Sequence, residues 1–262
     1  MNPRVLITGA SSGIGMELAR VFARHNHDLV IVARNEAKLN DLAKELQEKY
    51  QVRVKVIAKD LTQVNAADLL YSQLRHEKIS IDVLINNAGF GTFGHFVDST
   101  LRLQTEMMQL NMIALTQLCH LFGKEMIKAG KGHILNVAST AAFQPGPLMS
   151  VYFATKAYVL SLSEALHNEL SDRGVSVSCL CPGLTETGFQ KVAVMEEAGL
   201  VKGKKMMSAA EVAETAYEGL KKNKTIIIPG FKNKFLAFSV RLSPRNLVTK
   251  VIRSLQESGS PT

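Results

Sequence analysis

Short, nearly unbroken apolar runs recur along the chain at residues 4–10 (RVLITGA), 28–34 (DLVIVAR), 81–89 (IDVLINNAG), 132–139 (GHILNVAS), 175–183 (VSVSCLCPG) and 225–230 (TIIIPG). A further run, residues 52–60 (VRVKVIAKD), alternates apolar and polar positions. All are rich in β-branched residues and short enough to be strands. Between them the period lengthens. Ile14, Leu18, Val21 and Phe22 share one helical face, and Leu39, Leu42 and Leu46 share another over residues 35–50. Helical spacing also marks residues 62–78, 101–129, 150–172 and 208–222. Apolar strands alternating with helices predict a parallel sheet covered on both faces. The expected architecture is α/β: a doubly wound, Rossmann-type parallel sheet of about seven strands in one domain, residues 1–230. Residues 231–262 read as a short helical extension broken at Pro244.

In such a sheet, ligands bind at the carboxyl ends of the strands, so the residues just after each strand carry the candidate chemistry. After the first strand comes TGASSGIG, with Gly9, Ser11, Ser12, Gly13, Ile14 and Gly15. Glycines there let the backbone approach a pyrophosphate held at the next helix N-terminus. After the second comes Arg34, where a carboxylate would bind a ribose 2′-hydroxyl and an arginine suits a 2′-phosphate. After the third come Asp60 and Leu61. Asp60 can accept a hydrogen bond from an adenine amino group or cap the next helix. The fourth is followed by Asn86, Asn87, Ala88 and Gly89, the fifth by Ser139, and the sixth by Pro182, Gly183, Thr185 and Thr187. Tyr152 and Lys156 stand four apart in VYFATKAYV, hence on one helical face.

This ordered set resembles the short-chain dehydrogenase/reductase family in its NADP(H)-preferring form. The matching elements are Thr8–Gly15, Asp60, Asn86–Gly89, Asn111, Ser139, Tyr152 with Lys156, and Pro182, Gly183 and Thr187. The resemblance implies an oxidoreductase moving a hydride between NADP(H) and a ketone, aldehyde or secondary alcohol. It implies Tyr152 as proton donor, Ser139 holding the substrate oxygen, and Lys156 lowering the phenol's pKa while binding the nicotinamide ribose. Asn111 would position a water that relays protons to Lys156. Tyr152 and Lys156 thus belong to both the catalytic and the cofactor set. A homodimer or homotetramer is also implied. The competing expectation is a non-catalytic NADP(H)-sensing regulator, which loss of any of the four catalytic groups would have favoured.

The net charge of +8 is uneven. Residues 191–262 hold thirteen Lys and Arg against six Asp and Glu, so the excess lies in the last quarter. That region lacks interleaved aromatic and reader motifs for nucleic acid, and no nucleic-acid partner is expected. In the tail, Leu247, Val248, Val251, Ile252 and Leu255 form one apolar stripe, which needs the core, a second subunit or an anionic membrane surface to cover it. Cys119, Cys179 and Cys181 read as small buried hydrophobes in a reducing compartment, and no metal site is expected. No signal-peptide pattern precedes the first strand, and no run reaches the roughly 18 apolar residues of a membrane span, so a cytoplasmic protein is expected. Phe189, Val192, Val194, Met195, Leu200, Met206 and Met207 suggest an apolar or acyl-chain-like carbonyl substrate, with Lys202, Lys204 and Lys205 suited to a coenzyme A-type phosphate. Phe143, Pro145, Pro147, Leu148 and Met149 are expected opposite, with Phe90, Phe93 and Phe96 near the mouth.

Overall fold

The structure, a computed structural model, describes residues 2–187 and 206–257. The expected loop residues Phe189, Val192, Val194, Met195, Leu200, Lys202, Lys204 and Lys205 lie outside them. The strands are β1 (Arg4–Thr8), β2 (Asp28–Ala33), β3 (Val54–Ala58), β4 (Val83–Asn86), β5 (Gly132–Val137), β6 (Val175–Leu180), β7 (Thr185–Glu186), β8 (Met207–Ser208) and β9 (Ile226–Ile227). The helices are α1 (Gly13–Arg24), α2 (Glu36–Tyr50), α3 (Ala66–His76), α4 (Leu101–Met108), α5 (Leu115–Ala129), α6 (Ser150–Ser171), α7 (Ala209–Lys221), α8 (Phe231–Leu242) and α9 (Arg245–Glu257). Seven strands form one sheet in the order β3-β2-β1-β4-β5-β6-β9, with every adjacent pair parallel. β7 and β8 pair separately.

Alternation along β1 shows how the sheet is sandwiched. Val5 and Ile7 pack with α1, α2 and α7, through residues such as Phe22, Leu39 and Val212. Leu6 packs on the opposite face with α3, α5 and α6, through Leu70, Phe122 and Val159. This is the doubly wound arrangement that the periodicity predicts. The chain runs outward from β1 to β3, then returns to β4 on the other side of β1. The turn after β1 and the loop after β4 therefore meet at one crevice.

Three elements differ from the reading of the sequence. The helix expected from residue 62 begins at Ala66. Asp60 Oδ1 accepts bonds from the Thr62 backbone N–H at 3.0 Å and its hydroxyl at 2.8 Å, which turns the chain first. The helix expected over 101–129 is interrupted by a π-helical stretch, Gln109–Ala114, centred on Asn111. The last strand pairs only through Ile226 and Ile227, against Cys179 and Leu180. The two tail helices do form on either side of Pro244. No described helix is long and apolar enough to cross a membrane.

Thr8, at the end of β1, ties the crevice together. Its buried hydroxyl accepts from the backbone N–H groups of Asn87 and Ala88, both at 3.0 Å, and donates to the Ile85 carbonyl at 3.3 Å. Asn87 answers with Nδ2, donating to the carbonyls of Thr8 (2.9 Å) and Gly9 (3.1 Å). Thr8→Val keeps the side-chain shape and leaves two part-buried N–H groups without their partner. Each such group costs about 1–3 kcal/mol, so a loss of that order or more is expected by urea denaturation. An unchanged midpoint would mean that the clasp carries no stability.

Candidate active site

A cleft of about 1030 Å³ runs along the carboxyl ends of the strands. At one end lies the turn after β1. Gly9 sits at φ +67, a left-handed conformation that glycine adopts without strain, and a Cβ there would come within 2.8 Å of the Ala88 backbone. Ser11, Ser12, Gly13 and Ile14 line the cleft where α1 begins. Ser12 occupies the N-cap position without a side-chain cap bond, and α1 has no acidic residue in its first turn. Its leading N–H groups are thus free of side-chain caps and bear the positive end of the helix dipole, which suits a phosphate. Gly15 does not line the cleft. It lies inside the first turn, where a Cβ would meet the Gly9 carbonyl at 2.4 Å.

Beyond this turn Arg34, Asn35, Lys38, Lys59, Asp60 and Leu61 form the outer wall. Among the described residues Asp60 is the sole carboxylate lining the cleft, and its Oδ1 already serves the Thr62 turn. Among the described residues, Arg34, Lys38 and Lys59 against Asp60 make this wall net positive. Lys38 and Lys59 escaped the reading of the sequence. Lys59 directly follows the end of β3, and Lys38 lies one helical turn past Arg34, so both followed from rules already in use. Asn87, Ala88 and Gly89 form the middle of the cleft, facing Pro182, Gly183, Thr185 and Thr187. Asn86 turns away: its Nδ2 donates to Asn136 Oδ1 at 2.9 Å inside the sheet.

At the other end Ser139, Tyr152 and Lys156 converge. Ser139 caps the 3₁₀ turn Thr140–Phe143, its Oγ accepting from the Ala141 N–H at 3.1 Å, and it hydrogen-bonds the Tyr152 phenol. Tyr152 and Lys156 are both buried on α6. The Lys156 ammonium lies 5.7 Å from the centre of the Tyr152 ring and donates to the Val137 carbonyl at 2.8 Å. Asn111 is held at both ends of its amide. Its Oδ1 accepts from the Phe90 N–H at 3.2 Å, and its Nδ2 donates to the Phe90 carbonyl at 2.9 Å and to Thr155 Oγ1 at 3.1 Å. A Cβ on Gly89 would lie 3.0 Å from Asn111 Oδ1 and 3.5 Å from Lys156 Nζ, so both groups close on that glycine.

The electrostatics of the pair follow from its enclosure. Burial, more than the proximity of the two groups, sets the direction of both shifts. Burial pushes Tyr152 up to about 12, against the smaller opposing effect of its bond to Ser139. Burial also brings Lys156 down to about 8. The low-dielectric surroundings disfavour the charged form of each group. Tyr152 is therefore a neutral phenol, ready to donate, throughout the neutral range.

The tail helices supply the roof. Asn233, Leu236, Ala237 and Val240 of α8 and Leu247, Val248, Val251, Ile252 and Leu255 of α9 line the same cleft. Ile252 packs with Met107, Ala141, Met149, Tyr152 and Phe153. The apolar stripe expected in the tail thus has its partner, the active-site cleft. Phe90 and Met149 line the cleft as expected, whereas Phe143 and Leu148 do not; Phe93 joins the cluster around Tyr152, and Phe96 is exposed. The three cysteines are buried and free.

Residues 3–198 match the family model described as short chain dehydrogenase. The chain is 33% identical over 186 residues to the probable oxidoreductase EphD of Mycobacterium tuberculosis, a match covering 71% of this chain and 31% of EphD, so the chain spans about a third of that relative's length. It is 30% identical over 270 residues to a very-long-chain 3-oxoacyl-CoA reductase of Phaeosphaeria nodorum, covering 96% of this chain and 76% of the relative. Among solved structures, a short-chain dehydrogenase from Sphingobium yanoikuyae in complex with NADPH superposes with a TM-score of 0.83 at 34% identity, covering 99% of this chain and 98% of that one. With the parallel sheet, the glycine turn and the buried Tyr–Lys helix in one cleft, these matches make the chain a member of the short-chain dehydrogenase family of oxidoreductases.

Proposed function

We propose that this protein is a cytoplasmic NADP(H)-dependent oxidoreductase that interconverts an apolar or acyl-chain-like ketone or aldehyde and its alcohol. The observation that carries the reading is the buried Tyr152 phenol, bonded to Ser139 and one helical turn from Lys156, at the end of a cleft that begins at the open N-terminus of α1. When bound, a dihydronicotinamide supplies the hydride. The α1 N-terminus with Ser11, Ser12 and Gly13 holds the pyrophosphate, and Arg34, Lys38 and Lys59 hold a 2′-phosphate. Tyr152 donates its phenolic proton to the carbonyl oxygen as negative charge develops there. Ser139 donates a hydrogen bond to the same oxygen. Lys156, oriented by the Val137 carbonyl, holds the nicotinamide ribose and restores the phenolic proton. Asn111 fixes Phe90 and the Gly89 loop beside Lys156; the water it would position is part of the proposal.

The apolar roof and the walls from Phe90, Met149 and Phe153 support the substrate class, as does the similarity to a 3-oxoacyl-CoA reductase. Assembly into two or four copies belongs to the same reading, supported by the apolar Leu69 and Ile113, which are exposed to solvent.

Three measurements test this. Tyr152→Phe should cut NADPH-dependent reduction of a long-chain ketone by about 10²–10⁴-fold and leave NADPH affinity within a few-fold; a loss under tenfold would remove Tyr152 as the acid. Arg34→Ala should weaken NADPH by about tenfold, the low end for a charge-assisted bond at an exposed site, with NADH unaffected by fluorescence titration. Equal effects would remove the 2′-phosphate assignment. The third concerns Lys156, whose ammonium burial lowers from 10.5 to about 8. Between those values the unfolded chain holds a proton that the folded chain has released, so this group adds stability as pH rises and adds least below about 8. Relative to Lys156→Met, the wild-type protein should gain about 2 kcal/mol between pH 7 and 10 in urea denaturation without added cofactor. Parallel pH profiles would mean that the ammonium is not buried at a cost.

A further inference from the structure

Helix α8 has two apolar faces, and the cleft uses one of them. At 3.6 residues per turn, Phe231, Phe235, Phe238 and Leu242 fall within about one-sixth of its circumference. Asn233, Leu236, Ala237 and Val240, which line the cleft, lie on the opposite side. The outer four are 83%, 63%, 61% and 75% exposed. Three phenylalanines and a leucine in one stripe form an exposed apolar patch that a soluble surface rarely carries without a partner.

Charge identifies the partner. Lys234 and Arg241 flank the stripe on one side and Lys232 on the other. Across residues 231–257 six Lys and Arg face a single acidic residue, Glu257. Glu257 is taken by Arg253 at 2.7 Å. Lys232, Lys234, Arg241, Arg245 and Lys250 have no ion-pair partner among the described residues. A second copy docked on this face about a two-fold axis would set two such basic surfaces against each other, which is unfavourable. An apolar stripe edged with cations is instead the pattern of a helix lying in the interface of an anionic bilayer.

We propose that the outer face of α8, through Phe231, Phe235, Phe238 and Leu242 with Lys232, Lys234 and Arg241, docks the protein peripherally on an anionic lipid surface. The aromatic rings enter the boundary between headgroups and acyl chains, and the cations meet lipid phosphates. The inner face of the same helix roofs the cleft, so docking places the cleft's roof against the bilayer. That lipid-dissolved carbonyls then reach the site from the membrane is a consequence resting on the apolar-carbonyl reading, whereas the docking does not.

Co-sedimentation of the full chain with vesicles tests the docking apart from catalysis. Phosphatidylcholine vesicles containing about one-third phosphatidylglycerol should pull the protein down at low salt, and pure phosphatidylcholine should not, because each cation near an anionic surface contributes roughly fivefold in affinity. Phe235→Ser with Phe238→Ser should lower vesicle affinity by about tenfold per ring. Neither residue lines the cleft, so reduction of a water-soluble ketone should be unchanged. Lys232→Glu with Lys234→Glu should cut the preference for phosphatidylglycerol by about 25-fold or more and leave the melting temperature in place. Three results would overturn the proposal: no sedimentation of the wild-type chain at low salt, equal sedimentation with both vesicle types, or an assembly that the Phe235/Phe238 double variant dissociates on size-exclusion chromatography without any vesicle binding. An enzyme inactive on every carbonyl but still sedimenting would leave the docking standing and remove the functional reading alone.

Discussion

The approach of two backbones determines the rest of this molecule. The turn after β1 and the loop after β4 lie so close that a Cβ on Gly9 would reach the Ala88 backbone within 2.8 Å, and the Thr8 hydroxyl spans the gap with three hydrogen bonds. Parallel strands require this meeting. With β1 between β2 and β4, the chain leaves the sheet in opposite directions on either side, and the only open ground is above their carboxyl ends. The contact keeps α1 aimed at that ground and sets Gly89 against Asn111 and Lys156. The two ends of the cleft meet through this contact: the turn after β1 at one side, and Gly89 against Asn111 and Lys156 at the other.

Within that cleft the site works against its own charges. Burial disfavours a phenolate on Tyr152 and an ammonium on Lys156 alike, which leaves a neutral acid beside a lysine that titrates close to neutrality. The phenol would be neutral in water as well, but the lysine would not titrate close to neutrality there. A lysine of ordinary pKa could not readily exchange protons near pH 7, and an exposed phenol would share its hydrogen bonds with solvent instead of Ser139. The same burial makes the folded state less stable below the lysine's lowered pKa than an apolar residue there would. A stability deficit of this kind is common where a site is built for chemistry.

The roof gives the basic tail a structural meaning. α8 and α9 pack their inner faces on the cleft and leave a second apolar stripe edged with cations outside. One helix can serve both purposes because apolar positions repeat on two opposite sides of it, with basic residues between. Five of the seven excess positive charges of the last quarter of the chain fall in these two helices, residues 231–257.

Much of this was legible in the chain. Seven short β-branched runs and the helical periods between them determine a doubly wound parallel sheet, because buried strands and one-sided helices each have only one way to hide their apolar atoms. Strand ends then mark the site, which is why Arg34 and Ser139 stood out in the chain, while Tyr152 and Lys156 stood out by their four-residue helical spacing. Tertiary structure alone decided the rest. The π-helical turn around Asn111 depends on the amide reaching Phe90 and Thr155, contacts 21 and 44 residues away in sequence. The sign of the Tyr152 shift depends on how deeply the ring is enclosed, whereas sequence spacing reports only that a lysine is near. The tail's apolar stripe was plain in the sequence, but its partner was not: a hydrophobic period says that a face must be covered, and only the packed chain says by what.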